Sequence, residues 1–141
     1  DLHQLCNRLL QKVQALNEGG LETKQLVEAI KSYISENIYY DLSRETIAEQ
    51  LKYHPDHLSR VFKKATGETL INYIQNEKIK TAIYLFKETN LSVSQVADRL
   101  GYTNFSYFSQ LFKQKTGYTV REYKRKYLNK TDGDNAADLL R

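Results

Sequence analysis

The chain of 141 residues has no methionine, a single cysteine and a single proline, and no apolar run approaching a bilayer span. Each absence excludes something. A chain that lacks methionine and opens on Asp1 is expected to be a piece of a longer protein. Cys6 has no partner for an internal disulfide, which fits a reducing compartment, and a free cysteine is expected as a small buried hydrophobe on a helix. Without ~18–20 consecutive apolar residues or a signal-peptide pattern, a cytoplasmic location with no membrane contact is expected. His3, His54 and His57 have no cysteine nearby. His54 and His57 are three apart, but no two further ligands are spaced to complete a zinc site. No metal and no cofactor is expected. No segment alternates with period two, so no sheet is expected.

What is present is a chain about one domain long, 40% hydrophobic and 27% charged, rich enough in aromatics to bury a core. Its net charge of +4 is unevenly spread. Residues 1–51 carry 5 Lys/Arg against 8 Asp/Glu, residues 52–130 carry 15 against 6, and residues 131–141 carry 1 against 3. One block holds nearly all the positive charge, the footprint of a polyanion binder. Apolar stripes with helical spacing run through that block, so it is a folded surface and not a basic tail.

The block is also a repeat. "LSRETIAEQLKY" (42–53) matches "LSVSQVADRLGY" (91–102) at an offset of 49, with 5 identities in 12. "LSRVFKKATGETLINY" (58–73) matches "FSQLFKQKTGYTVREY" (108–123) at an offset of 50, with 7 in 16. Two copies are too few for a solenoid, and a duplicated binding unit is the better reading. Each copy reads as two helices and a tight turn. In the second, Ser92 and Gln95 form a capping box, Val93, Val96, Ala97 and Leu100 give the buried face, and Gly101 supplies the turn. The following helix, in "YTNFSYFSQLFKQKTG" (102–117), has a core stripe of Phe105, Phe108, Leu111 and Phe112 and a polar face of Ser106, Tyr107, Gln110, Lys113 and Gln114. In the first copy Ser43 caps, Ile47, Ala48 and Leu51 are buried, and a helix from Pro55 to Thr66 ends at Gly67. Lys52 stands where the second copy has Gly101, so a left-handed backbone there costs ~1 kcal/mol. A turn of about 3–4 residues between two such helices makes a helix-turn-helix unit.

Further helices are expected at about 24–38, capped by Thr23, and at about 70–88, capped by Thr69, with Ile71, Ile74, Ile79, Ala82, Ile83 and Phe86 on its buried side. A last one at about 120–128 opens on a Thr119–Glu122 capping box and holds Tyr123 and Tyr127. Residues 1–17 form another amphipathic pattern (Leu2, Leu5, Leu9, Val13, Leu16), set off by "NEGG". The acidic "NKTDGDN" segment reads as a disordered tail.

"IAEQLKY…LSRVFKKATG", "KIKTAIYLF" and "LSVSQVADRLGYTNFSYFSQLFKQKTG…REYK" together resemble the DNA-binding domain of the AraC/XylS family of bacterial transcription regulators. The resemblance covers about 23–128. It implies an all-α, seven-helix, homeodomain-like fold, with two helix-turn-helix subdomains (about 23–68 and 90–128) joined by linker helix 70–88. Residues 1–20 would connect to an upstream sensing or dimerisation domain, 21–128 would form the DNA-binding domain, and 129–141 the tail. The implied partners are double-stranded promoter or operator DNA of about 17–20 bp and, for an activator, RNA polymerase. Carried over residue by residue, Pro55, Asp56, Ser59 and Arg60 would face base edges from the first recognition helix, and Phe105, Ser106, Tyr107 and Gln110 from the second. Lys63, Lys64, Lys113 and Lys115 would meet phosphate. Gln110 stands where many relatives carry arginine, which moves the preference from guanine toward adenine. Asp56 can accept from cytosine N4 but repels phosphate, and it is equally a helix N-terminal charge favoured by the dipole. Independently of the family, residues 70–88 as a helix span ~28 Å. That length suits two reading heads in successive major grooves, one ~34 Å turn apart.

Two other classes compete. The same kind of domain also occurs fused to DNA-repair methyltransferases, although Cys6 has no neighbouring base or metal ligand to activate it. A basic helical module could instead bind acidic protein. The chain itself is read as having no catalysis.

Overall fold

A computed structural model describes residues 2–8 and 21–128, and among these every regular element is a helix. Residues 2–8 are helical (α1). Then follow α2 (Leu21–Glu36), α3 (Arg44–Leu51), α4 (Pro55–Thr66), α5 (Leu70–Glu88), α6 (Val93–Arg99), α7 (Phe105–Thr116) and α8 (Val120–Tyr127). Helices α2 to α8 supply the seven expected of the domain. On α1, Leu2 and Leu5 are 78% and 55% exposed, and Cys6 is exposed instead of buried. The remainder of the expected 1–17 helix and the 129–141 tail lie outside the described residues.

The chain divides into two compact units. The first comprises residues up to Glu36 together with Leu42–Tyr73, and the second Asn37–Asp41 together with Ile74 onward. In the first, α2, α3 and α4 pack on one another. Leu26, Val27, Ile30, Ile34, Ile47, Ala48, Leu58 and Phe62 are buried there. The Tyr73 ring meets Phe62 edge-on at 5.2 Å. In the second unit one cluster draws Ile79, Ala82, Leu85 and Phe86 from α5, Val96 and Ala97 from α6, and Phe108, Leu111 and Phe112 from α7. Phe112 sits edge-on to Phe86 (5.9 Å) and to Tyr123 (5.6 Å).

The helix ends follow from short polar residues in the right places. Ser43, Ser92 and Thr119 each accept a hydrogen bond from the amide three residues on, and Gln95 closes the box at Ser92. Thr69 does the same for Asn72 at 3.1 Å. Thr23 does not cap α2. The helix begins at Leu21, and Glu22 already supplies the first-turn negative charge that the dipole favours.

Two residues expected in the core are exposed, and Leu51, Ile83 and Val93 are only half-buried. Ile71 is 62% and Phe105 49% exposed. Both keep the phase of their stripes but lie in the first turn of their helices. Helical side chains lean toward the N-terminus, so these two project past the end of the packed surface. In the other direction, Lys78 (4% exposed) was not expected inside. It lies four residues from both Ile74 and Ala82, in the middle of the buried stripe.

Candidate nucleic-acid interface

The two helix-turn-helix units repeat down to individual hydrogen bonds. At the first turn, Lys52 adopts φ 63° and ψ 44°, and Tyr53 N–H donates to the Ala48 carbonyl at 2.9 Å. At the second, Gly101 has φ 83°, and Tyr102 N–H donates to the Ala97 carbonyl at 3.0 Å. The end of each second helix repeats as well. The Thr66 hydroxyl donates to the carbonyls of Phe62 (2.7 Å) and Glu68 (3.2 Å), and that of Thr116 to those of Phe112 (2.8 Å) and Tyr118 (3.0 Å). Gly67 and Gly117 then close the helices on the carbonyls of Lys63 and Lys113. The second connection, residues 100–104, is longer than the 3–4 residues expected. Leu100 has already left the helix at φ −88°, and the residue inserted in this copy lets Asn104 cap α7 through the Tyr107 amide.

On α4 the buried side is Leu58 and Phe62, which turns Asp56, Arg60, Lys63 and Lys64 outward, with Pro55 and Ser59 half-buried at the edges. A cleft of about 610 Å³ opens on this face, lined by Arg44, Ser59, Arg60, Lys63, Lys64, Thr69, Leu70 and Ile71. Four of those residues are cationic and none is acidic. At the N-terminal end, His54 Nδ1 caps the helix by accepting from Asp56 N–H at 3.2 Å. Arg44 donates to Asp56 Oδ1 at 3.0 Å and to Glu45 Oε1 at 3.0 Å. The Glu45 hydrogen bond, ahead of the Asp56 charge, raises the Arg44 pKa above its ordinary value. Arg60 Nε reaches the Asp56 carbonyl at 3.4 Å.

On α7 the outward side is Ser106, Tyr107, Gln110, Lys113 and Gln114, with exposed Phe105 at its start. The Tyr107 hydroxyl accepts from Gln75 Nε2 at 3.2 Å, and its ring lies 5.9 Å from that of Tyr102. Lys115 does not join this face. It follows Leu111 by four and Phe108 by seven, which places it in phase with the packed stripe, and it is half-buried.

Two features behind this second face carried little sequence signal. Lys78 Nζ donates to the carbonyls of Tyr40 (2.6 Å) and Leu100 and lies 5.2 Å from the Tyr102 ring centre. Burial lowers its pKa from 10.5, with Asp41 opposing. Burial in turn pushes the Tyr102 hydroxyl up to about 12, with Tyr107 adding to it. The helix-turn-helix turn of the second unit is thus tied to residues 37–41 through a lysine. The clue was positional, a lysine in phase with an apolar stripe.

Two units of this form, each ending in a capped helix with a polar, cationic outer face, define a double helix-turn-helix domain. The chain matches a helix-turn-helix domain family over residues 47–126, and it belongs to the AraC-type helix-turn-helix family. It is 35% identical over 99 residues to the bifunctional transcriptional activator/DNA repair enzyme AdaA of Bacillus subtilis, covering 70% of this chain and 47% of that protein. It is 32% identical over 105 residues to the HTH-type transcriptional regulator YijO of Escherichia coli, covering 74% and 37%. The chain therefore spans less than half the length of either relative. Among solved structures it resembles the C-terminal domain of AraT, a response regulator from Geobacillus stearothermophilus. The TM-score is 0.70 at 31% identity, covering 73% of this chain and 86% of that one.

Proposed function

We propose that this domain binds duplex DNA sequence-specifically as the DNA-reading part of a bacterial transcription regulator. In this reading α4 and α7 lie in successive major grooves. The observation that carries it is the duplicated outer face. In both units the second helix turns a hydrogen-bonding side chain and a lysine outward at matching positions, Arg60 and Lys63 in one and Gln110 and Lys113 in the other. A repeated backbone of phosphates is the partner that such a repeat fits. Pro55, Asp56, Ser59 and Arg60, and Phe105, Ser106, Tyr107 and Gln110, are the base-reading candidates, with Lys63, Lys64 and Lys113 at phosphate. The domain itself performs no catalysis in this reading. It acts in the cytoplasm with RNA polymerase, and residues 1–20 connect it to an upstream sensing or dimerisation domain. The exposed Leu2 and Leu5 fit such a connector.

Footprinting of a selected duplex, by hydroxyl radical for the backbone and by dimethyl sulfate for guanine N7 in the major groove, should show protection over roughly 17–20 bp in two blocks one turn apart. Protection confined to one groove would refute the two-headed reading. With ~6–10 phosphate contacts, affinity should fall steeply with salt. A salt-independent affinity, or equal binding to an acidic peptide, would favour a protein-interaction module instead.

A further inference from the structure

The ion pair between Arg44 and Asp56 bridges the first residue of α3 and the second residue of α4. Its side chains are 40% and 63% exposed. A pair that open to water adds little to folding. It is also peculiar to the first unit, since the repeat puts Val93 and Ser106 at the corresponding positions. With Glu45 also paired to Arg44, the three groups carry one net negative charge and add nothing to non-specific attraction for a polyanion. Yet the pair stands where the basic face begins, with Arg44 lining the same cleft as Arg60, Lys63 and Lys64.

The geometry divides the work between the atoms of Asp56. Oδ1 is taken by Arg44. The backbone carbonyl holds Arg60 Nε. Oδ2 lies 3.9 Å from His54 Nδ1. That nitrogen already accepts from the Asp56 amide, so it carries no proton to donate. Oδ2 is therefore an acceptor pointed by its neighbours and unclaimed by them. A carboxylate is acceptor-only, and the major-groove donor it matches is the cytosine amino group.

We propose that Arg44 and Asp56 act as one reading pair. Arg44 is a positioning residue that orients the Asp56 carboxylate, so that its second oxygen accepts from cytosine N4 at one position of the first half-site. This rests on the duplex-DNA reading given above.

The test is competition binding of the full 141-residue chain against a duplex library with each base pair varied in turn. The variants are D56N, R44Q, R44K and R44Q/D56N, with far-UV circular dichroism melts as a fold check. The unaltered chain should prefer cytosine at one position by about tenfold, in the range of a good base contact. D56N and R44Q should each lose that preference at the same position and leave the others unchanged, and the double variant should lose no more than either single one. R44K, which keeps the charge but not the guanidinium fork, should fall between. The proposal is overturned if R44Q weakens all sequences equally, which would make Arg44 a phosphate anchor. It is overturned equally if D56N tightens all sequences alike, which would make Asp56 a plain repulsive charge. Failure of the unaltered chain to bind any duplex would instead overturn the DNA reading, and this pair's role with it.

Discussion

Arg60 and Gln110 occupy the same position of the repeat and offer different chemistry: a guanidinium suited to guanine O6 and N7, and an amide suited to adenine N6 and N7. Arg60→Ala and Gln110→Ala should each relax base preference at one position by ~1–3 kcal/mol, one in each half-site, while Lys113→Ala weakens all sequences alike. Competition binding over a substituted duplex series checks this. An unchanged preference in Gln110→Ala would reduce α7 to a phosphate anchor. Lys78 and Tyr102 make a prediction about pH. The Lys78 pKa is lowered in the folded state, so the cost of burying its charge is fully present below that lowered value. It is relieved as pH rises toward 10.5, so stability rises across that window. Tyr102 works in the opposite sense. Its folded-state pKa of about 12 exceeds the ordinary 10.0, so its contribution is present below pH 10 and lost as pH climbs to about 12. Lys78→Met leaves the Tyr40 and Leu100 carbonyls without their donor and should cost about 1–3 kcal/mol at neutral pH. In urea titrations the deficit should widen toward pH 10, and Tyr102→Phe should flatten the alkaline loss.

At the scale of elements, the helix-turn-helix turns give a graded series. Lys52 holds a left-handed backbone that glycine adopts freely, so Lys52→Gly should stabilise by up to about 1 kcal/mol. Gly67→Ala and Gly117→Ala meet open space and should lose only ~1 kcal/mol of conformational energy. Gly101→Ala should lose clearly more, because its Cβ would come within 3.2 Å of Tyr40 C and 3.3 Å of Asp41 N. Thermal melts rank the three. The periodicities and caps that mark these elements are legible in the sequence because they are local: Ser43, Ser92 and Thr119 as caps, Gly67 as a helix end and the left-handed Lys52. The exposure of Ile71 and Phe105 is not legible there, because a stripe carries no mark of where its packed neighbours stop. The outward faces of α4 and α7 were legible from phase, which also puts Lys115 on the packed side. The hold of Arg44 on Asp56 and of Gln75 on Tyr107 joins residues 12 and 32 apart, beyond the reach of any helical period.

At the scale of the whole molecule, the second unit includes five residues, Asn37–Asp41, that lie in sequence between helices of the first. A break between Tyr73 and Ile74 therefore does not yield two self-sufficient halves. The fragment 74–141 loses the Tyr40 carbonyl and leaves the Lys78 ammonium short of an acceptor, so it should melt well below the second unit of the intact chain. Equal melting of fragment and intact chain by circular dichroism would show that residues 37–41 contribute nothing.

What the second unit takes from Tyr40 is main chain: a carbonyl for Lys78, and backbone atoms seated against Gly101. The side chain at Tyr40, which is exposed, is therefore free to drift under mutation, since every residue carries the same carbonyl. The number of residues is not free, because one added or removed shifts that carbonyl off the ammonium. Position 40 should tolerate substitution while the segment resists insertion and deletion, whereas surface connections ordinarily accept both.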